Sequence, residues 1–185
     1  MMRLCDAADS TLLVIDVQER LASAMPEESR DRVEQRTGRL LEAAQRLDIP
    51  VLSTAQYPKG LGSLLSSIET RLPEGQSPRE KTCFSCAGAE GFMAELENTG
   101  RRQVVLCGME THVCVLQTAF ELRERGFDVF VVEDAACSRD PADHACALHR
   151  LRQVGIQVTR SESALFEWLR DARHPQFKPL SRLVR

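Results

Sequence analysis

The sequence predicts an α/β protein, a mainly parallel sheet covered by helices on both faces in a three-layer αβα sandwich. Three observations predict it. Short apolar runs alternate with amphipathic stretches along the chain. The runs are unbroken rather than alternating with polar residues, as strands buried on both faces are. No repeat and no linker divides the 185 residues, so one domain over positions 1–185 is expected, long enough to bury a core without disulfides or metal. Strands joined by helices imply right-handed crossovers and hence parallel pairing.

The elements follow in order. Thr11–Ile15 is a continuous apolar strand ending at Asp16-Val17-Gln18. From about Ser29 to Leu47, Val33, Leu40, Leu41, Ala44 and Leu47 share one helical face. Pro50–Thr54 is the next strand, followed by the glycine-bearing loop Gln56-Tyr57-Pro58-Lys59-Gly60-Leu61-Gly62. Ser63–Ile68 reads as a short helix, and irregular chain marked by Pro73, Gly75 and Pro78 leads to Glu80-Lys81-Thr82-Cys83-Phe84. Phe92, Met93 and Leu96 place a helix before Gly100, and Val104–Cys107 is a strand closed by Gly108. A helix with Thr111 as N-cap then runs to Gly126. Phe127–Val132 is a strand, Ala142–Val154 a helix, Ile156–Thr159 the last strand and Ser161–Asp171 a helix, and His174–Leu180 reads as an extended arm.

Charge and cysteine usage narrow the function classes. Twenty-four basic residues against 27 acidic ones, well mixed, give a net charge of -3, so neither a nucleic-acid nor a membrane surface is expected. Met1–Asp6 opens no long apolar segment, so neither a signal peptide nor a transmembrane span is expected. Seven cysteines, odd in number and without framework spacing, suggest reduced thiols in the cytoplasm.

In a parallel α/β sheet the ligand crevice lies outside the carboxyl ends of the strands. Asp16 ends the first strand, Gln56 and Tyr57 follow the second, Cys114 follows the strand at 104–107, and Lys81 lies near another strand end. A thiol in the first turn of a helix meets free N–H groups and the positive end of the helix dipole, which favour thiolate. A carboxylate can take the thiol proton, an ammonium can balance the charge, and backbone N–H groups can hold an oxyanion. Each residue also has a plainer reading. Cys114 could be a small buried hydrophobe, Asp16 a turn cap and Lys81 a solvated surface lysine.

Val14-Ile15-Asp16-Val17-Gln18, Lys81 with Phe84-Ser85, and Gly108-x-x-Thr111-x-x-Cys114-Val115 with Thr118-Ala119 together resemble the isochorismatase-like cysteine hydrolases. Within them the chain is most similar to the isochorismatase domain-containing proteins. The resemblance implies a Rossmann-like, six-stranded parallel sheet and a catalytic triad of Asp16, Lys81 and Cys114. It also implies a cis peptide before Glu110, an oxyanion hole from the amides of Glu110 and Cys114, and a homo-oligomer. The implied activity is hydrolysis of a C–N, amide-type bond of a small molecule through a Cys114 acyl-enzyme.

Departures from the pattern shape this expectation. Nicotinamide-cleaving members carry Asp-x-His after the second strand, whereas this chain has Gln56-Tyr57-Pro58 and no histidine between 50 and 100. No metal and no cofactor is therefore expected. Gln18, Gln56, Tyr57 and His112 are the candidate substrate-pocket residues. Four rival readings remain: a non-catalytic interaction protein of the same fold, a redox protein using Cys83-Phe84-Ser85-Cys86, a vinyl ether hydrolase acting on isochorismate-type substrates, and a dinucleotide binder. The last lacks any Gly-x-Gly-x-x-Gly after the first strand.

Overall fold

A computed structural model describes residues 3–184 of the chain. The elements are β1 (Ser10–Ile15), α1 (Glu19–Ala24), α2 (Glu27–Arg46), β2 (Val51–Gln56), α3 (Pro58–Leu61), α4 (Ser66–Glu69) and β3 (Arg79–Lys81). They continue with α5 (Phe92–Asn98), β4 (Gln103–Met109), α6 (Leu116–Glu124), β5 (Asp128–Cys137), α7 (Pro141–Gln153), β6 (Gln157–Thr159), α8 (Ser161–Leu169) and α9 (Phe177–Ser181). The six strands are parallel in the order β3-β2-β1-β4-β5-β6.

Strand alternation divides the core. Leu12 and Val14 pack among the α2 and α8 residues Val33, Leu40 and Leu165. Leu13 and Ile15 face the other layer, with Phe92 of α5, Leu122 of α6 and Leu151 of α7. The α2 stripe forms because Val33, Thr37, Leu40, Leu41 and Ala44 recur at helical spacing, with Glu27 and Glu28 favouring its first turn. At α7 the Asp140 side chain accepts from the Ala142 N–H at 2.8 Å, with Pro141 in the first helical position.

The strand order reverses between β1 and β4, the point at which parallel α/β sheets place their ligand sites. Asp16 leaves β1 and Glu110 leaves β4 at this point.

Four expectations need correction. First, β5 does not end at Val132; it runs on through Glu133 and Asp134 to Cys137, its register shifting where Leu106 faces Val131 but Gly108 faces Ala136. Polar residues and the bulge hid this extension. Second, the loop after β2 contains the one-turn helix α3. Third, residues 174–180 are not an extended arm. The chain turns at His174 into α9, Leu180 is fully buried, and Phe177 meets Phe166 with ring centroids 6.2 Å apart. Fourth, Thr111 is not an N-cap. Glu110 takes the extended conformation before the helix, residues Thr111–Val115 wind as a π-helical turn, and the Thr111 hydroxyl lies 2.9 Å from His144 Nδ1.

Among the described residues no helix is long and apolar enough to cross a membrane. Two buried thiols are expected to lower stability at alkaline pH. Burial pushes Cys107 and Cys137 up to about 12 from an ordinary value of 9.0. Above pH 9 the unfolded chain loses these protons while the folded chain keeps them. Stability therefore falls by about 1.4 kcal/mol per pH unit for each such thiol until its folded value is reached. Urea unfolding of Cys107→Ala between pH 9 and 11 should show a flatter decline than the parent chain; an equal slope would contradict the assignment.

Candidate active site

Asp16, directly after β1, has a left-handed backbone (φ 52) and is completely buried. Its Oδ1 accepts from the Thr54 hydroxyl at 2.7 Å and its Oδ2 from Lys81 Nζ at 2.6 Å. Lys81 ends β3, and its ammonium also donates to Gln56 Oε1 at 2.7 Å and to the Phe84 carbonyl at 3.0 Å. All three of its protons are thus used. Both side chains are at 0% exposure, so this is a desolvated ion pair held by full hydrogen-bond satisfaction. Burial works against the Lys81 ammonium, but the Asp16 carboxylate beside it outweighs this and holds its pKa above the usual lysine value.

Cys114 sits on the π-helical turn, 4% exposed, and belongs to the same cluster. The thiol is pushed up, first by burial and then by the Asp16 carboxylate, with Lys81 opposing. The sequence pointed the other way, toward a lowered value. The helix terminus was visible in it, but the burial and the carboxylate beside the sulfur were not. Burial and the Asp16 carboxylate thus both favour the protonated thiol over the thiolate.

The Met109–Glu110 peptide is cis. The Glu110 carbonyl accepts from the N–H groups of Val113 and Val115, both at 3.2 Å, and passes over that of Cys114. The Glu110 side chain, 6% exposed, points toward the start of α7. There Arg139 donates to it from Nε and from its backbone N–H, and His112 Nδ1 lies 3.3 Å from Oε2.

The candidate pocket residues divide. Gln56 is built into the charged cluster, holding Lys81 with its carbonyl and the Thr82 carbonyl with its Nε2 at 2.7 Å. Gln18 does not line a pocket. It is completely buried, and its amide is spent on the backbone of Gln56 and Gly62, which staples the β1 and β2 loops together. Tyr57, with φ 37 and half exposed, lays its ring over Gly60. It borders a hollow of about 500 Å³ that also touches Lys81 and Cys83. His112 turns away toward Ser138 Oγ at 2.9 Å and Asp143 at 3.7 Å.

Thr54, Arg139 and Cys86 are additions that sequence reasoning had not placed here. Cys86 is completely buried, with Sγ 3.7 Å from Thr54 Oγ1 and its N–H on Thr118 Oγ1 at 2.9 Å. Burial and Asp16 push it up to about 11 against the pull of Lys81. The two sulfurs of the Cys83-x-x-Cys86 segment thus serve different surroundings, and both are free thiols. Among the described residues no group of three or more His, Cys, Asp or Glu side chains is placed to hold a metal ion.

A buried acid–ammonium pair and a thiol at the switch point of a parallel six-stranded sheet define an α/β protein of the isochorismatase-like hydrolase fold. The Isochorismatase domain family model matches residues 10–163, and the chain belongs to this family. Isochorismatase domain-containing protein 2 of Danio rerio is 39% identical over 176 residues, 95% of this chain and 86% of that protein. The structure of a MAR1 ribonuclease from Caenorhabditis elegans is similar with a TM-score of 0.91 and 35% identity, covering 98% of this chain and 92% of that one. YcaC of Escherichia coli, described as an octameric hydrolase of unknown specificity, is similar with a TM-score of 0.90 and 26% identity, covering 99% and 90%.

Proposed function

We propose that this protein is a thiol hydrolase that cleaves the C–N bond of a small amide-type substrate through an acyl-enzyme on Cys114. The observation that carries the reading is the fully buried Asp16–Lys81 pair in the same site as the buried Cys114 thiol. As the sulfur attacks the carbonyl carbon, Asp16 takes its proton, so no free thiolate has to persist in the buried site. The N–H groups of Glu110 and Cys114 receive the oxyanion of the tetrahedral intermediate. Asp16 then hands the proton to the departing nitrogen, the C–N bond breaks and a thioester remains. Water gives a proton to Asp16 and attacks the thioester; the carbon–sulfur bond breaks, Asp16 returns the proton to the Cys114 sulfur and the carboxylic acid leaves. Lys81 moves no proton in this cycle. It keeps Asp16 oriented, and its charge balances the carboxylate.

The near-complete burial of Cys114 supports a small substrate, and the octameric YcaC supports a homo-oligomer. A net charge of -3 supplies no surplus for a phosphate backbone, which favours the amide reading over the activity named for the C. elegans neighbour. The test is amine or ammonia release from a panel of small amides, run beside a single-stranded RNA. Release that stops when Cys114 is alkylated supports the proposal. RNA cleavage without amide turnover, or turnover that survives alkylation of Cys114, contradicts it.

A further inference from the structure

The Glu110 carboxylate poses an electrostatic problem for its own backbone. Its N–H belongs to the oxyanion hole of the proposed reaction, yet the side chain of the same residue is an anion at 6% exposure. Two like charges in a site that excludes water repel strongly, because little solvent screens them. An unpaired carboxylate here would raise the barrier that the N–H lowers.

The surroundings answer this charge from one side. Arg139 directs Nε to Oε1 and its backbone N–H to Oε2, the latter at 3.4 Å. His112 reaches the same carboxylate and is itself held between Ser138 Oγ and Asp143. The guanidinium lies beyond β4, on the β5 side, whereas Asp16 and Lys81 lie on the β1 side. Arg139 is mostly exposed, at 62%, so its guanidinium stays in contact with solvent while its Nε draws on a buried charge. An exposed ion pair adds little to stability. Its effect on a charge developing nearby is a separate matter.

We infer that Arg139 is a positioning residue of the oxyanion hole, neutralising the Glu110 carboxylate and holding it toward β5 so that the Glu110 and Cys114 N–H groups can stabilise an oxyanion. The inference rests on the thiol hydrolase reading and adds to it a residue that never touches substrate.

Two reagents separate this role from ordinary structural support. Acetylation by p-nitrophenyl acetate passes through a tetrahedral oxyanion: the Cys114 thiol proton passes to Asp16, the sulfur–carbon bond forms, the carbon–oxygen bond breaks and p-nitrophenolate leaves with its electron pair. Alkylation by iodoacetamide displaces iodide at carbon and forms no oxyanion. In Arg139→Met, acetylation of Cys114 should slow by roughly tenfold to a hundredfold while its alkylation rate is unchanged. Glu110→Gln/Arg139→Met should acetylate faster than Arg139→Met, because the repelling charge is gone. If Arg139→Met does not fold, Arg139→Lys takes its place and should show a smaller fall in acetylation with alkylation intact. Equal slowing of both reactions, or no recovery in the double variant, overturns the inference. Absence of any acetyl–Cys114 in the parent chain overturns the hydrolase reading itself, and is seen before any Arg139 variant is made.

Discussion

Replacing Lys81 with methionine is expected to destabilise the fold by about 3–5 kcal/mol, because it removes one partner of a buried ion pair and leaves the other charged. The Asp16 carboxylate would keep the Thr54 hydroxyl but lose its cation, and the acceptors at Gln56 Oε1 and the Phe84 carbonyl would lose the donor they share. For a chain of this length that corresponds to a fall in Tm of roughly 10 °C. Asp16→Asn in the same chain should return part of the loss, since a neutral amide costs less to bury than an unpaired carboxylate. The sign of the pH dependence follows from the raised pKa of Lys81. Its contribution is fully present below the ordinary lysine value of 10.5 and is lost as pH rises through the higher folded value. The gap between parent and Lys81→Met should therefore hold constant across neutral pH and narrow only at strongly alkaline pH. A loss below about 1 kcal/mol by urea unfolding, the size of an exposed pair, would mean that the two charges are not desolvated together.

Gly108→Ala should be more damaging still. Gly108 has φ +128, and a Cβ there would stand 1.9 Å from the Ile15 carbonyl oxygen in the adjacent strand. That is backbone against backbone, with no flexible side chain to give way, at a dihedral that residues with a side chain rarely adopt. The clash lies one residue before Asp16 and two before Glu110, so relief has to separate β1 from β4 at the crevice itself. A loss above about 4 kcal/mol, or failure to recover folded protein, is expected. Near-parent stability on urea unfolding would show that the two strands are not in this register.

How much of this was legible in the sequence depends on what kind of contact each feature needs. β1, β2, β4, the first half of β5 and the major helices come from local apolar periodicity, which the chain carries openly. β3 is three residues long and polar, Arg79-Glu80-Lys81, and no hydrophobic pattern marks it. Lys81 stood near a strand end, and its role came from the family resemblance. The continuation of β5 through Glu133 and Asp134 is hidden for the same reason. Its carboxylates read as solvent-facing, whereas Asp134 is buried and binds the Ser161 N–H and hydroxyl, both at 2.7 Å.

The site shows a sharper limit. Residue types and strand ends brought Asp16, Lys81 and Cys114 to one edge of the sheet, and the structure places all three in one buried cluster. The direction of the Cys114 shift came out opposite, because a helix terminus is local in sequence while desolvation is not. Gln18 was a candidate pocket residue, but its amide is consumed by backbone 38 and 44 positions away. Arg139 carries no local signal that ties it to the site. Its pairing with Glu110, 29 positions earlier, requires knowing that β4 and β5 are neighbours.

The central claim is that Cys114 carries the acyl group. The most direct measurement is to quench the protein within seconds of mixing with p-nitrophenyl acetate, digest it at low pH and map the acetyl group by mass spectrometry in the parent chain and in Cys114→Ala. The account predicts a thioester on Cys114 that decays as acetate is released, and no acetyl on any thiol of Cys114→Ala. Acetyl on Cys83 or Cys86 instead, or an unmodified Cys114 while p-nitrophenolate is still released, would contradict it.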